Sequence, residues 1–445
     1  MFQSLLQKLQ DSAELQKILR NIGWLFFDKV LRYGVGFFVG VWVARYLGSD
    51  QFGVFNAAVA FTVLFGAIAT LGLKSIIVRE VVKQPDQEQS ILGSAFLMMI
   101  ASGVLTFGLS ILIAFFLYQN DPLTFRLIAI ISLGFVFQAF QSIAYYYEAK
   151  VTSKFIVYAT NSAYLVSSGL KVYFILTNKG LEAFALASLV DVALSGLILF
   201  FIYQSQGLRV RDWRWNKDMS RTLLRDSYPL ILSGIMVAIY MRIDQVMLPK
   251  LYSEKEAGLY AAAVKLTELW YFIPTIIQSS SMPNIIQAKD INADLYWSKL
   301  KKLFSIMILF SLAVGIPTTL LGEEVVSIIF GEEYLGTGSI LIVMIWALLF
   351  VSIGVARSTY LVTENLIKIY SYTIVMGVVI NIILNVTLIP KFGGLGAVFA
   401  TLGAQIVAAY LSCFFFKETR AIGRLITNSF FTLPATAIKI LRNAR

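Results

Sequence analysis

The chain has 445 residues, 58% of them hydrophobic and only 14% charged, with 37 Lys and Arg against 26 Asp and Glu for a net charge of +11. Soluble domains carry about a quarter charged residues, so a chain this depleted has too little polar surface to face water, and its mean hydropathy of +0.74 points to a bilayer. It has no histidine and a single cysteine, Cys413, which excludes an internal disulfide, multi-cysteine metal sites, histidine ligands and any imidazole base. Neither a metal nor another cofactor is expected.

Residues 1–21 begin the chain with Phe2, Leu5, Leu6, Leu9, Leu15, Ile18 and Leu19 set among Lys8, Asp11, Glu14 and Lys17. That spacing predicts an amphipathic helix lying on the membrane surface, with no small-residue cleavage site. About twelve apolar stretches follow, each near the ~20 residues needed to cross ~30 Å of hydrocarbon. They run over 22–46, 52–73, 91–117, 123–147, 155–176, 181–203, 226–250, 257–285, 302–321, 338–363, 367–390 and 395–416. Loop punctuation separates them, as at Leu47-Gly48-Ser49-Asp50 and Pro390-Lys391-Phe392-Gly393-Gly394. The predicted fold is all-α and integral to the membrane. A six-helix lobe over 22–208, a basic linker over 209–225 and a second lobe over 226–416 are expected, then a basic amphipathic tail over 417–445.

Charge tests the topology independently. With both termini inside, and Arg45, Lys250, Lys302 and Lys368 at span ends counted with the adjoining segments, 25 of the 37 Lys and Arg fall in inner segments, 5 in outer loops and 7 within spans. That bias obeys the positive-inside rule over short loops. It also accounts for most of the net charge, so no nucleic-acid partner is expected.

The two halves echo each other. Gly53, Phe55 and the run Ala57-Ala58-Val59 match Gly258, Tyr260 and Ala262-Ala263-Val264 at a shift of 205 residues. Gly180-Leu181-x-Ala183 matches Gly394-Leu395-x-Ala397 at a shift of 214. An even number of spans per half gives both halves one orientation, with a pseudo-twofold along the membrane normal and a substrate path between them.

Ionisable side chains inside spans are expensive and tend to face a cavity or a partner. They are Asp28, Lys29, Arg32, Arg126, Lys171, Asp191, Arg242, Asp244, Lys265, Glu268 and Arg357. At ~1.5 Å per residue, Lys29, Arg32 and Arg357 lie ~9–15 Å from the inner surface and Lys171 and Arg242 ~24 Å in. The predicted substrate site is a cationic vestibule of Arg32, Lys171, Arg242, Lys265, Lys29 and Arg357, with Asp191, Asp244 and Glu268 as candidates for ion coupling. Bland alternatives stand beside this. Asp28 with Arg32, and Lys265 with Glu268, have the spacing of helical ion pairs, and Lys29, Arg126 and Arg357 are able to snorkel to headgroups. Tyr145-Tyr146-Tyr147 reads first as an interfacial aromatic belt, and second as a sugar-stacking surface.

Three patterns carry a family resemblance. They are Leu47-Gly48 with Phe52-Gly53, Phe55 and Ala58; Gly72-Leu73 with Ser75 and Val78-Arg79-Glu80; and Asn381 and Asn385 with Leu388-Ile389-Pro390, Gly393 and Gly396-Ala397. In these the chain resembles the polysaccharide-export and O-antigen (Wzx-type) flippases, within the larger group holding multidrug exporters and lipid II flippases. The resemblance implies a non-enzymatic transporter. Its cargo would be an oligosaccharide on a polyprenyl pyrophosphate, moved from the cytoplasmic to the outer leaflet of the cell (inner) membrane by alternating access. Polymerase and glycosyltransferases of the same pathway would be its partners.

A drug or organic-cation antiporter of the same group would want an acidic interior. A membrane glycan polymerase or ligase would want a sizeable outer loop, and the longest here, 322–337, has 16 residues. A channel fits poorly with a pseudo-repeat inside one chain. No GxxxxGK[ST] loop is present, so ATP is not the direct energy source.

Overall fold

The computed structural model describes residues 13–431. Among them every regular element is helical. The amphipathic segment 1–21 and the tail beyond Phe431 lie largely outside the described residues.

The described chain divides into two compact units. One takes the chain up to Leu47 together with Ala58–Ala238; the other takes Gly48–Ala57 together with the chain from Ile239 onwards. The first unit is built from α1 (Ala13–Val63, less its Gly48–Ala57 stretch), α2 (Lys74–Lys83), α3 (Glu88–Leu117), α4 (Pro122–Ser132), α5 (Gln141–Ala149), α6 (Lys154–Leu176), α7 (Leu181–Ser205) and the front of α8 (Lys217–Leu251). Within it α6 packs along α7, α7 against α4, and α2 against α5. The expected linker is part of this packing. Trp213 donates its indole N–H to Tyr203 Oη at 3.1 Å, and Ser94 Oγ accepts from Asn216 N at 3.0 Å.

Tyr145, Tyr146 and Tyr147 do not form an interfacial belt. They are buried in the unit's core with Tyr203, Ile77 and Leu92. Consecutive residues point ~100° apart on a helix, so all three are buried because neighbouring helices cover several faces of α5, which composition alone does not disclose.

The second unit holds the rest of α8, α9 (Glu254–Glu268), α10 (Phe272–Ile291), α11 (Ala293–Phe330), α12 (Gly336–Met344), α13 (Ala347–Thr363), α14 (Ile367–Ala409) and α15 (Arg420–Phe431). The long α11 is its centre, touching α10, α12, α13 and α15. Ile422 and Ile426 of α15 bury against Leu303, Phe304 and Met307 of α11, so this part of the tail docks on protein.

Among the described residues eight segments are long and apolar enough to cross a membrane. Two of them, Gly23–Lys83 and Ile367–Phe414, each contain two of the expected spans. Between its two expected spans, each is broken at one glycine. Gly48 has φ 71° in α1, and Gly393 has φ 57° in α14, just after Pro390. A side chain at either position would be strained. A carboxylate meets the backbone just after each break: Ser49 N donates to Glu333 Oε1 at 2.7 Å, and Gly394 N donates to Glu256 Oε2 at 2.8 Å. Both restarted helices therefore begin with a negative cap. The expected count of about twelve is not reached by length and apolarity alone. The expected span 155–176, now α6, is too polar, with Asn161, Ser167, Ser168 and Lys171, and the span 257–285 is interrupted at Leu269–Tyr271 between α9 and α10.

The sequence repeat is a physical crossing. A Cβ on Gly258 would stand 1.8 Å from the Ser49 carbonyl oxygen, and one on Gly53 would stand 2.0 Å from the Glu254 carbonyl oxygen. Both pairs are related by the same 205-residue shift. The two segments meet reciprocally, backbone on backbone, and only glycine allows that approach.

Candidate functional site

Each unit contains a charged centre. In the first, a cavity of about 290 Å³ is lined by Asp28, Lys29, Arg32, Gln141, Asp191 and Ser195, among others. Asp28 and Arg32 are one turn apart on α1, and the Arg32 Nε–H donates to Asp28 Oδ1 at 3.3 Å. Arg32 Nη2 donates to the Thr160 carbonyl at 2.8 Å, and its guanidinium lies 4.9 Å from the Tyr164 ring centroid. Gly36 leaves room for that ring: a Cβ there would stand 2.4 Å from the Tyr164 hydroxyl. Asp191, on α7, has a buried Oδ1 with no hydrogen-bond partner. It lies within electrostatic reach of both Arg32 and Lys171. Among the described residues neither Lys29 nor Lys171 is in an ion pair. With Asp28 and Asp191 set against Lys29, Arg32 and Lys171, the neighbourhood keeps one net positive charge. An unpartnered buried carboxylate oxygen and a surplus cation are the groups a polar, anionic ligand would satisfy.

The second unit's centre is Asp244, 3% exposed on α8. Its Oδ2 accepts from Tyr260 Oη at 2.8 Å and from Thr401 Oγ1; its Oδ1 accepts from Asn385 Nδ2. Asn385 Nδ2 also donates to Asn381 Oδ1 at 3.1 Å. Around one carboxylate the other oxygens belong to amides and hydroxyls. That donor set suits a proton or an alkali cation and not a transition metal. Among the described residues no group of three or more His, Cys, Asp or Glu side chains is placed to hold a metal.

The remaining expected site residues, Arg242, Lys265, Glu268 and Arg357, lie in the second unit. Arg242 on α8 pairs with Glu268 on α9, Nη1 to Oε1 at 3.1 Å and Nη2 to Oε2 at 3.1 Å. Glu268 therefore has a guanidinium partner across helices. Lys265 sits half-buried one turn earlier on α9. Arg357 is 3% exposed, and donates to Ser412 Oγ and Thr373 Oγ1, each at 2.8 Å. It does not snorkel. Arg126 pairs with Glu182 at 2.8 Å on an exposed surface. So Arg32 and Arg242 sit in ion pairs, Lys29 and Lys171 are in none among the described residues, and Arg357 is enclosed by protein.

A family model described as polysaccharide biosynthesis protein matches residues 42–339. The chain belongs to the polysaccharide biosynthesis protein family. A member-like relative, the capsular polysaccharide biosynthesis protein CapF of Staphylococcus aureus, is 21% identical over 406 residues, covering 90% of this chain and all of that one. A probable low-salt glycan biosynthesis flippase, Agl15 of Haloferax volcanii, is 24% identical over 250 residues, 54% of this chain and 52% of that protein. Among solved structures, an inward-facing multidrug resistance transporter of the MATE family superposes with a TM-score of 0.70 at 15% identity, covering 92% of this chain and 95% of that one. The lipid II flippase MurJ, inward closed, gives 0.70 at 14% identity over 95% and 93%. These likenesses show the fold. The family assignment and the helical architecture together make this a multi-pass membrane protein.

For this family member, sequence reasoning named Asp244 but not Asn381, Asn385, Tyr260 or Thr401 as its partners. The signal was present: two asparagines four residues apart inside an apolar span place two amides on one helix face.

Proposed function

We propose that this chain is a flippase that carries a lipid-linked oligosaccharide from the cytoplasmic to the outer leaflet of the inner membrane, with both termini cytoplasmic, for cell-surface polysaccharide assembly. What carries the reading is the family match, supported by the alignment with CapF over that protein's whole length. It is not an enzyme: its named relatives include probable flippases. A charged, hydroxyl-rich head pays several kcal/mol or more per desolvated polar group in bare hydrocarbon, and a wet polar cavity removes most of that barrier while the polyprenyl tail stays in lipid. Lys29 and Lys171, which are in no ion pair among the described residues, attract the pyrophosphate. Asp191 and Gln141 accept and donate hydrogen bonds to the cargo's polar head. Asp244 carries the coupling cation, and the membrane potential adds ~2.3 kcal/mol per 100 mV for each negative charge moved outward. A polymerase and glycosyltransferases supply and consume the cargo.

The test is reconstitution of the full chain in proteoliposomes with a polyprenyl-pyrophosphate oligosaccharide, scored by protection from a membrane-impermeant sugar-modifying reagent. Wild type moves the sugar across, and Lys171→Gln lowers the rate at least about tenfold, the loss of one ~1.4 kcal/mol charge contact. An undiminished rate for both Lys171→Gln and Lys29→Gln removes the anionic-cargo assignment. The rival, an organic-cation antiporter, draws on the acidic residues Asp28, Asp191 and Asp244 and on the MATE likeness. Uptake of an organic cation with no sugar movement in the same vesicles would favour it.

A further inference from the structure

Residues Thr373, Gly377, Asn381 and Asn385 recur every fourth position along α14, so they share one face over ~18 Å at ~1.5 Å per residue. All four are buried. Two of them bond a charged side chain on another helix of the second unit. Asn385 holds Asp244 of α8 and, through the same amide, Asn381. One turn earlier on α8, the Tyr240 ring lies against Gly377, where a Cβ would stand 2.9 Å from its Cε2. At the far end Arg357 of α13 donates to Thr373. The result is a buried polar seam that runs from Asp244, past the Tyr240 ring at Gly377, to Arg357.

Hydrogen bonds are incomplete along it. Tyr240 Oη, Arg357 Nε and Asn385 Oδ1 are buried with no partner. Buried polar atoms nearly always have one, so the seam has room in its chemistry for water or a moving ion. Arg357 is the more telling group. It has no ion pair among the described residues, and its partners are the hydroxyls of Thr373 and Ser412 and, at 3.7 Å, the Cys413 thiol. An enclosed guanidinium without a carboxylate is costly to keep. Bridging α13 to α14 and to the Ser412 turn requires a hydrogen-bonding side chain, not a charge. The charge therefore has another use. Tyr240, between the two ends of the seam, lies within electrostatic reach of both Asp244 and Arg357.

We infer that the seam is a hydrated path leading from the Asp244 cation site toward the α13–α14 turn, and that the fixed charge of Arg357 closes it to cations. A positive charge on a narrow path raises the barrier for any cation following it. A cation bound at Asp244 then leaves only when the protein changes conformation, and its gradient is not wasted as leak. Arg357 is thus a positioning and sealing residue, not a substrate contact. This rests on the reading of Asp244 as the coupling carboxylate.

The experiment measures passive cation leak through the full chain in proteoliposomes without cargo, using sodium tracer efflux and an entrapped pH dye under an imposed potential. Arg357→Gln is expected to leak sodium or protons at least tenfold faster than wild type. Arg357→Lys, which keeps the charge, stays tight, and adding Asp244→Asn to Arg357→Gln restores tightness. If Arg357→Gln fails to fold, Thr373→Val unpins the guanidinium without deleting it and is expected to leak several-fold. Tight vesicles with a folded Arg357→Gln, or with Thr373→Val in its place, overturn the inference, as does equal leak from Arg357→Lys. Cation-driven flipping abolished by Asp244→Asn alone, with Arg357→Gln tight, keeps the coupling reading and sinks only the seal. Cation-driven flipping that survives Asp244→Asn sinks the coupling reading and the seal with it.

Discussion

Replacing Gly258 by alanine adds one methyl group where the structure leaves none. Its Cβ would lie 1.8 Å from the Ser49 carbonyl oxygen, 2.7 Å from the Ser49 carbonyl carbon and 3.1 Å from its Cα, all backbone atoms of the facing segment. No side-chain rotation relieves that overlap; the two segments must move apart by ~1.5 Å to restore ordinary van der Waals contact. Gly258 lies inside α9, so alanine gains ~1 kcal/mol of helix propensity. Forced overpacking costs ~1–3 kcal/mol and, with backbone on both sides, belongs at the top of that range or above it. The expected net is a loss of ~1–2 kcal/mol. Gly53→Ala should behave alike, since its Cβ would meet the Glu254 carbonyl oxygen at 2.0 Å. The double variant should lose less than the sum, because the separation forced by the first methyl accommodates the second. The assay is thermal unfolding of the detergent-solubilised chain, with Gly108→Ala and Gly169→Ala as controls. Both control positions are helical with nothing within 4 Å of an added Cβ, so they should be neutral or stabilised. A Gly258→Ala variant as stable as these controls would refute the crossing.

Two further outcomes follow from the packing. Tyr147 is 2% exposed, with ring centroids of Phe155 at 4.9 Å and Tyr203 at 6.4 Å, so Tyr147→Ala should cost ~3–5 kcal/mol and show as a lowered melting temperature; a change below ~1 kcal/mol would restore the interfacial-belt reading. Glu333→Ala removes the acceptor 2.7 Å from Ser49 N at the helix break and should cost ~1 kcal/mol by the same measurement, with no loss expected from Glu332→Ala as its neighbouring control.

The electrostatics changed most between sequence and structure. A count of buried cations gives the same weight to Arg32, Arg242 and Arg357, yet one shares Asp28, one shares Glu268 and one is held by hydroxyls. The Asp28–Arg32 pair is legible from its i,i+4 spacing, because both ends lie on one helix. The Arg242–Glu268 pair spans α8 and α9, and no local spacing encodes it.

Hydrophobicity along the chain is a local property, set by each residue's transfer from water, and it was enough to determine that this is a helical membrane protein; the repeat was legible in matched residues such as Gly53 and Gly258. The two breaks at Gly48 and Gly393 were equally legible, since backbone freedom belongs to the residue itself. Which face of a helix meets which neighbour depends on rotations and crossings summed over many residues. Only the tertiary structure therefore decided that Tyr145–Tyr147 are core, that Asp244 is wrapped by Asn385, Thr401 and Tyr260, and that the glycines of the repeat touch one another's backbones.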